Sequence, residues 1–282
     1  MRNQNLARKI FSIVSYTNWI ICINIFLFII FIILLAIRPE LSKYIVLTPG
    51  IFISLKYYWT AITSMFMHAG IFHLFVNMLS LFFLGNLTEK IIGRKRLIFL
   101  YIISGIIGSL FFVGSAYIGS AIGTETASNV FGNINLSGVG ASGALFGLVG
   151  LLAVLVPHFR VFLIAGPIFL IILEVVISPF LPERIAGVFG FVITIFMLVS
   201  VMGMFSKNRV MRRIAFPIEM PLWVAPITAI LPLVIVSIFV SLPIGNSAHL
   251  GGLIAGLVYG IALRLKYAKK VAMLQRMFVR RQ

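Results

Sequence analysis

Eight apolar runs of about 20 residues each recur along the chain, separated by polar or basic segments. As an α-helix, a run of this length crosses the roughly 30 Å hydrocarbon core of a bilayer. Because 61% of the residues are hydrophobic, charged side chains are too few to cover a soluble globule. The sequence thus excludes a cytosolic enzyme and a disordered tail, and its single cysteine excludes a disulfide-stapled module. It predicts an all-α polytopic membrane protein with spans at 19–37, 71–88, 97–118, 139–157, 161–181, 186–205, 222–242 and 247–265.

The basic residues predict the orientation of the chain, since Lys and Arg are enriched in loops on the cytoplasmic side. If the amino terminus is cytoplasmic, 19 of the 23 basic residues face the cytoplasm, and only Arg38, Lys43, Lys56 and Arg184 lie outside. The net charge of +17 is therefore interpreted as topology and not as nucleic-acid binding. We expect both termini to be cytoplasmic, in a multi-pass protein of the plasma membrane.

The predicted spans and their orientation divide the chain into three parts. A basic cytoplasmic head, 1–18, precedes a membrane domain, 19–265. The basic cytoplasmic tail, 266–282, is predicted to lie on anionic lipid as an amphipathic segment.

Three of the four histidines fall at the predicted outer ends of spans, where polar side chains are unfavourable and point to function. His68 and His73 flank the start of the second span, and Asn77 follows His73 by one helical turn on the same face. His249 opens the last span. The fourth, His158, lies in an inner turn and is interpreted as structural.

A serine between glycines begins the fourth span, within Gly140-Ala-Ser142-Gly143. Alone this motif is weak, because a serine in a helix often bonds only its own backbone. Glycines, however, recur every four residues in the fourth and last spans, and such stripes let two helices approach closely. Simple helix packing explains the stripes, but the same contact would also bring Ser142 within reach of His249.

Serine chemistry needs a base for the hydroxyl proton and donors for the charge that develops on the carbonyl oxygen. His249 is the candidate base, and the donors would be the Ser142 backbone N–H with the side chains of His73 and Asn77. All six acidic residues are glutamates and lie away from these motifs, so a Ser-His-Asp triad is excluded. A serine hydrolase here would use a dyad whose histidine is oriented by packing.

Two other kinds of site remain open. Three outer histidines could hold a metal ion, although the H-E-x-x-H pattern is absent and the five-residue spacing of His68 and His73 suits one helical face poorly. Histidine and asparagine could instead line a polar path for a small solute. A channel, however, gives no reason for a serine between glycines at the same depth.

In combination these motifs resemble those of the rhomboid intramembrane serine proteases. The resemblance covers 19–157 joined to 209–265. It rests on three motifs that occur in the same order. The first, H-x4-H-x3-N, is formed by His68, His73 and Asn77, and the second, G-x-S-G, by Gly140 to Gly143. The third, A-H-x-x-G, is formed by Ala248, His249 and Gly252.

The resemblance implies a role for each motif residue. Ser142 would be the nucleophile and His249 the general base. His73, Asn77 and the Ser142 amide would form the oxyanion hole. The supporting residues would be His68, the motif glycines and Phe146, which follows Ser142 by one turn and would pack on the catalytic imidazole. No metal or cofactor is expected.

Two features depart from the family pattern. The outer-loop motif that is usually Trp-Arg is Trp59-Thr60 here. Two extra apolar runs also separate the serine from the last histidine, so we expect a rhomboid-like six-helix core plus a transmembrane hairpin inserted at about 158–208, eight spans in all. A pair of spans keeps His249 on the outer side. Within the hairpin, Glu174 is interpreted as a protonated carboxyl bonded to a neighbouring helix.

The predicted function is an intramembrane serine endopeptidase that cleaves single-span transmembrane proteins near the outer leaflet. The alternative is a catalytically inactive rhomboid-like protein that binds or escorts client transmembrane helices. Proteins of that kind have usually lost the serine or the histidine, whereas this chain keeps both. A transporter or channel is a third, more distant possibility.

Overall fold

The computed structural model describes residues 15–206, 210, 213, 216–240, 242 and 245–279. Eight of the basic residues used to predict topology lie outside the described residues, namely Arg2, Arg8, Lys9, Lys207, Arg209, Arg212, Arg280 and Arg281. The helices longer than ten residues in the described ranges are α1 Tyr16–Ile37, α2 Ile71–Ile92, α3 Arg94–Ile122, α4 Ser142–Leu155, α5 Ala165–Ile177, α6 Glu183–Gly203, α7 Ala225–Ser237, α8 Asn246–Lys266 and α9 Ala268–Val279.

Each of the helices α1 to α8 coincides with one predicted apolar run. Five of them, α1, α2, α3, α6 and α8, are long and apolar enough to cross a membrane. The helices α4, α5 and α7 are also apolar but have only 14, 13 and 13 residues, which is about 20 Å of helix. The chain is thus a mostly helical, integral multi-pass membrane protein.

The prediction that the chain is all-α is wrong at one place. Strand β1, Arg160–Ile164, pairs antiparallel with strand β2, Pro217–Pro221. The start of the predicted span 161–181 is therefore a strand, and β2 ends directly before the predicted span 222–242 begins. Periodicity does not distinguish a short apolar strand from a helix, and the prolines that bound β2 disfavour helix. Because β1 follows α4 and β2 precedes α7, their pairing joins the two ends of the segment that contains α5 and α6.

The closest packing in the bundle is between α4 and α8, and glycines make it possible. The backbone carbonyls of Gly143 and Gly147 lie directly against Gly252 and Gly256, where a side chain of any size would overlap them. Lipid is as apolar as leucine, so helices in a bilayer associate through close van der Waals contact more than through hydrophobic burial. The predicted glycine contact is confirmed, and it holds the first turns of α4 and α8 side by side.

The segment between α1 and α2 folds into short helical turns at Pro39–Leu41, Ser42–Ile45, Pro49–Phe52, Thr60–Thr63 and Ser64–Phe66. Although Thr60 stands where the usual Trp-Arg motif has an arginine, other hydrogen bonds hold this segment in place. The indole N–H of Trp59 donates to the carbonyl of Tyr44 at 3.1 Å, and the Thr63 hydroxyl donates to the carbonyl of Ile45 at 2.9 Å. The carbonyl of Ser64, at the end of this segment, accepts the N–H of Gly140 at 2.8 Å.

Candidate active site

Ser142 and His249 meet where α4 and α8 begin. The serine Oγ lies 2.8 Å from Nε2 of the imidazole, and the imidazole is buried. With the hydroxyl as donor, Nε2 accepts and the ring proton lies on Nδ1. Nδ1 has no hydrogen-bond partner among the residues that the structure describes. A neutral imidazole in this geometry is placed to receive the hydroxyl proton.

Packing sets the orientation of the His249 ring. The ring of Phe146 stacks on the imidazole, with centroids 4.4 Å apart and planes inclined by 16°. Phe146 follows Ser142 by one turn of α4, so a single helix carries both the hydroxyl and the aromatic face. The aromatic contact predicted from the motif is therefore present.

His73 and Asn77, both on α2, lie against the backbone that leads into Ser142. A Cβ atom on Gly140 would lie 3.0 Å from Nε2 of His73 and 3.9 Å from Nδ2 of Asn77. Gly140 also has φ +120°, a conformation that side chains disfavour. Glycine is thus required here for two reasons, and its absent side chain leaves room for both polar groups.

The hydrogen bonds of these two side chains leave donors directed at the site. Nδ1 of His73 accepts the backbone N–H of Ala69 at 3.3 Å, which assigns the ring proton to Nε2 in the neutral form. The Asn77 amide donates one hydrogen to the carbonyl of His73 at 2.9 Å, and its second hydrogen is available. Since Ser142 is the first residue of α4, its own N–H has no acceptor within the helix.

His68 lies between α1 and His73 and packs against both. Its side chain is only 1% exposed, and its ring meets Phe28 and His73 edge-on, at centroid distances of 5.9 Å and 5.2 Å. Burial, with a smaller effect of the neighbouring His73, lowers the pKa of His68 to about 3. No well-directed hydrogen bond reaches either ring nitrogen within the described residues, although the backbone of Phe66 favours the protonated form. His68 is therefore a neutral wedge between α1 and His73.

Three residues that help to build the site were not predicted. Ser64 and Ala69 act through a backbone carbonyl and a backbone N–H, and such contacts leave no signal in residue type. Phe28 is one of 26 phenylalanines in the chain, and nothing distinguishes it from the others in the sequence.

Two other predictions concern groups outside this arrangement. Glu174 of α5 faces Gly190 of α6, where a Cβ atom would lie 2.7 Å from its Oε1. The expected hydrogen bond to a neighbouring helix is not formed within the described part of the chain. No group of three potential metal ligands from His, Cys, Asp or Glu is found among the described residues.

A family model matches the part of the chain that contains most of these residues. The family model for the Rhomboid domain matches residues 55–198, just over half of the chain. The chain belongs to the rhomboid family. The matched range contains His68, His73, Asn77 and Ser142 and ends before α8. The pairing of His249 with Ser142 therefore rests on the contact between their side chains.

Curated relatives differ in what their names say about activity. RHOMBOID-like protein 1 of Arabidopsis thaliana is 42% identical over 92 residues, which are 33% of this chain and 19% of that protein. The "Putative rhomboid protease YdcA" of Bacillus subtilis is 37% identical over 93 residues, 33% of this chain and 39% of the relative. "Inactive RHOMBOID-like protein 8" of Arabidopsis thaliana is 47% identical over 55 residues, 20% of this chain and 16% of the relative. The chain thus spans well under half the length of these relatives.

Proposed function

We propose that this rhomboid-family protein is an intramembrane serine endopeptidase that uses Ser142 and His249 as a dyad. The observation that carries the proposal is the 2.8 Å contact between Oγ of Ser142 and Nε2 of His249, made by the first turns of two helices that are far apart in sequence. A serine that only packed its helix would bond its own backbone and would not need an imidazole.

In the first half of the reaction, Oγ of Ser142 attacks the carbonyl carbon of the scissile peptide bond while Nε2 of His249 takes the hydroxyl proton. The negative charge on the carbonyl oxygen is stabilised by Nε2–H of His73, Nδ2–H of Asn77 and the backbone N–H of Ser142. The C–N bond then breaks, and His249 returns its proton to the leaving nitrogen. The amino-terminal part of the substrate remains as an ester on Ser142.

In the second half, a water molecule attacks the ester carbonyl and transfers a proton to Nε2 of His249. The C–Oγ bond breaks, the proton returns to Ser142, and a carboxylic acid is released. Stacking on Phe146 keeps the imidazole in place through both halves, a task that an aspartate performs in triads.

The length of α4 suggests where cleavage occurs. Its 14 residues cover about 21 Å of a hydrocarbon core of about 30 Å. If α4 reaches the inner surface, Ser142 lies roughly 9 Å below the outer one. A scissile bond at this depth belongs to a substrate that itself spans the membrane, so we propose single-span transmembrane proteins as substrates, cut near the outer leaflet.

The same proposal includes eight spans, with α5 and α6 as a hairpin inserted into a six-helix core at the β1–β2 pair. Two added spans preserve the side on which α8 begins, as the dyad requires. The excess of basic residues in alternate loops supports cytoplasmic termini in the plasma membrane, with anionic lipids against the basic face.

Labelling with a fluorophosphonate in detergent tests the dyad, because this probe reacts only with an activated serine. The parent should be labelled, and Ser142→Ala should not be. Ser237→Ala is the matched control, since Ser237 also lies in an apolar helix of the bundle but its hydroxyl donates to the Val234 carbonyl in that helix. Labelling that persists in Ser142→Ala, or that is absent from well-folded parent protein, would contradict the proposal.

The second candidate function is an inactive rhomboid-like protein that binds client transmembrane helices. The similarity to a relative named as inactive favours this candidate. It predicts that the parent retains a membrane client without cleaving it and that Ser142→Ala binds equally well. Mass spectrometry of a co-expressed single-span substrate distinguishes the two, because only a protease generates a new carboxyl terminus that Ser142→Ala abolishes.

A further inference from the structure

A cluster of cations surrounds Tyr267 at the end of the bundle opposite the candidate active site. The Arg96 guanidinium donates to the Tyr267 hydroxyl at 2.9 Å, and its central carbon lies 5.2 Å from the ring centroid. The Nζ atoms of Lys266 and Lys270 lie 5.8 Å and 5.9 Å from the same centroid. Seventeen residues of α8, about 26 Å, separate this cluster from His249.

The local backbone explains why three cations meet at one ring. Helix α8 ends at Tyr267, whose φ of −125° and ψ of 37° are not helical, and α9 begins at the next residue. Lys266 closes one helix and Lys270 lies in the first turn of the other, so the break directs both toward the tyrosine. Arg96 comes from the first turn of α3, where the helix dipole adds further positive potential.

Among the described residues, no carboxylate neutralises the positive charge of this cluster. In residues 15–206 and the later described segments, the ion pair found is Arg94 with Glu89 at 3.3 Å, and no carboxylate pairs with Arg96, Lys266 or Lys270. All three side chains are exposed. Three cations within 6 Å of one ring centroid repel one another, and cation–π contacts offset only part of that repulsion. An anion that binds between them would be stabilised by every member of the cluster.

The surroundings of the cluster indicate which anion. Three side chains attach α9 to the bundle. Val271 is buried in the core, and Leu274 packs on the group formed by Leu152, Val156 and Leu222. The Gln275 amide donates to the carbonyls of Val154 and Leu155 at 3.4 Å and 3.2 Å. Helix α9 therefore lies across the end of α4. The inference rests on the topology proposed above, in which this end of the bundle lies at the head groups of the cytoplasmic leaflet. Leu265 is 77% exposed next to the cluster, which gives an acyl chain an apolar surface beside the charges.

We propose that Arg96, Lys266 and Lys270 around Tyr267 form a binding site for the phosphate of an anionic phospholipid. The guanidinium, held by the tyrosine hydroxyl, presents paired N–H donors to phosphate oxygens. The two lysines add positive charge at the same ring. The site fixes one lipid at the junction of α3, α8 and α9, whereas Lys269 and Arg276 of the tail only interact with the diffuse surface potential.

Lipid titration of the purified full chain tests this site. Binding of phosphatidylglycerol and of phosphatidylcholine with the same acyl chains is counted by native mass spectrometry. The variant Lys266→Gln/Lys270→Gln should bind phosphatidylglycerol about 30-fold more weakly, as expected for two lysines near an anionic lipid. The matched control is Arg264→Gln/Lys269→Gln, which removes the same charge from exposed positions that do not contact Tyr267 and should stay within about threefold of the parent.

Two further measurements distinguish a lipid phosphate from free inorganic phosphate as the ligand. Arg96→Gln removes the third cation from a different helix and should weaken phosphatidylglycerol binding as well. Inorganic phosphate should fail to displace the lipid. Equal losses in the double variant and its control, equal binding of the two lipids, or displacement by inorganic phosphate would each overturn the proposal. Serine reactivity is not involved in any of these measurements.

Discussion

The ring of Phe146 lies face to face with the imidazole of His249, with centroids 4.4 Å apart and planes inclined by 16°. The same imidazole contacts the Ser142 hydroxyl through Nε2. Since the chain contains no aspartate and Nδ1 has no partner in the part described, the aromatic face is what restricts rotation of the ring. In the proposed mechanism Phe146 is thus a positioning residue for His249, and α4 supplies it one turn after Ser142.

Phe146→Leu should therefore reduce turnover while leaving the fold intact. Leucine fills much of the volume but has no flat face, so the imidazole samples other orientations. We expect kcat to fall by about 10- to 100-fold with little change in KM, measured on a transmembrane substrate in proteoliposomes. Phe26→Leu, at an exposed position on α1, controls for loss of an aromatic ring and should leave kcat unchanged. Parent-like kcat in Phe146→Leu would contradict the positioning role.

Gly252→Ala should separate the dyad. The added methyl group would overlap the carbonyl of Gly143, so α8 must move away from α4 and take His249 with it. Overpacking of this kind costs about 1–3 kcal/mol, and we expect a lower thermal midpoint together with loss of fluorophosphonate labelling. Gly114→Ala is the control, because nothing lies within 4 Å of its Cβ position and alanine favours helix. Its thermal midpoint should be unchanged or raised, and equal behaviour of the two variants would refute the argument.

Much of this arrangement could be predicted because it depends on residue type and spacing. Each predicted apolar run coincides with a helix, and the glycine stripes indicated a contact between α4 and α8 across more than 100 intervening residues. Glycine stripes carry long-range information because the close approach that they permit is lost with any larger side chain.

Other features depend on the backbone and so left no such signal. The β1–β2 pair could not be predicted, because a short apolar run fits a strand and a buried helix equally well. The Ser64 carbonyl that holds Gly140 and the Ala69 N–H that fixes the His73 tautomer are common to every residue type. The conformation of Gly140 became interpretable only when His73 and Asn77 were found against it.

Asn77→Ala should slow catalysis through loss of a donor to the oxyanion. Removing one such donor typically lowers kcat by about 10²- to 10³-fold, whereas KM should change little because the interaction forms mainly in the transition state. Asn86→Ala is a close control on the same helix, since the Asn86 amide also donates to the carbonyl four residues earlier. If both variants lose the same activity, the loss reflects helix stability and not the oxyanion.

The pH dependence of stability should reveal the buried imidazole of His68. Its pKa is lowered from 6.5 to about 3, chiefly because burial disfavours the charged ring. Between these values the unfolded chain binds a proton that the folded chain does not, so the free energy of unfolding decreases as the pH falls from about 6.5 toward 3. His68→Phe removes this dependence while keeping a flat ring against Phe28 and His73.

The apparent thermal midpoint in detergent, followed between pH 7 and pH 4.5, measures the effect. The parent should lose more stability over this interval than His68→Phe does. Phe28→Leu serves as the control, because it loosens the packing on His68 without removing a titratable group, and it should lower the midpoint while retaining most of the parent's slope. If the thermal midpoint depends equally on pH in the parent and in His68→Phe, the prediction is wrong. The imidazole would then be hydrated in the folded protein, and water would lie between α1 and His73.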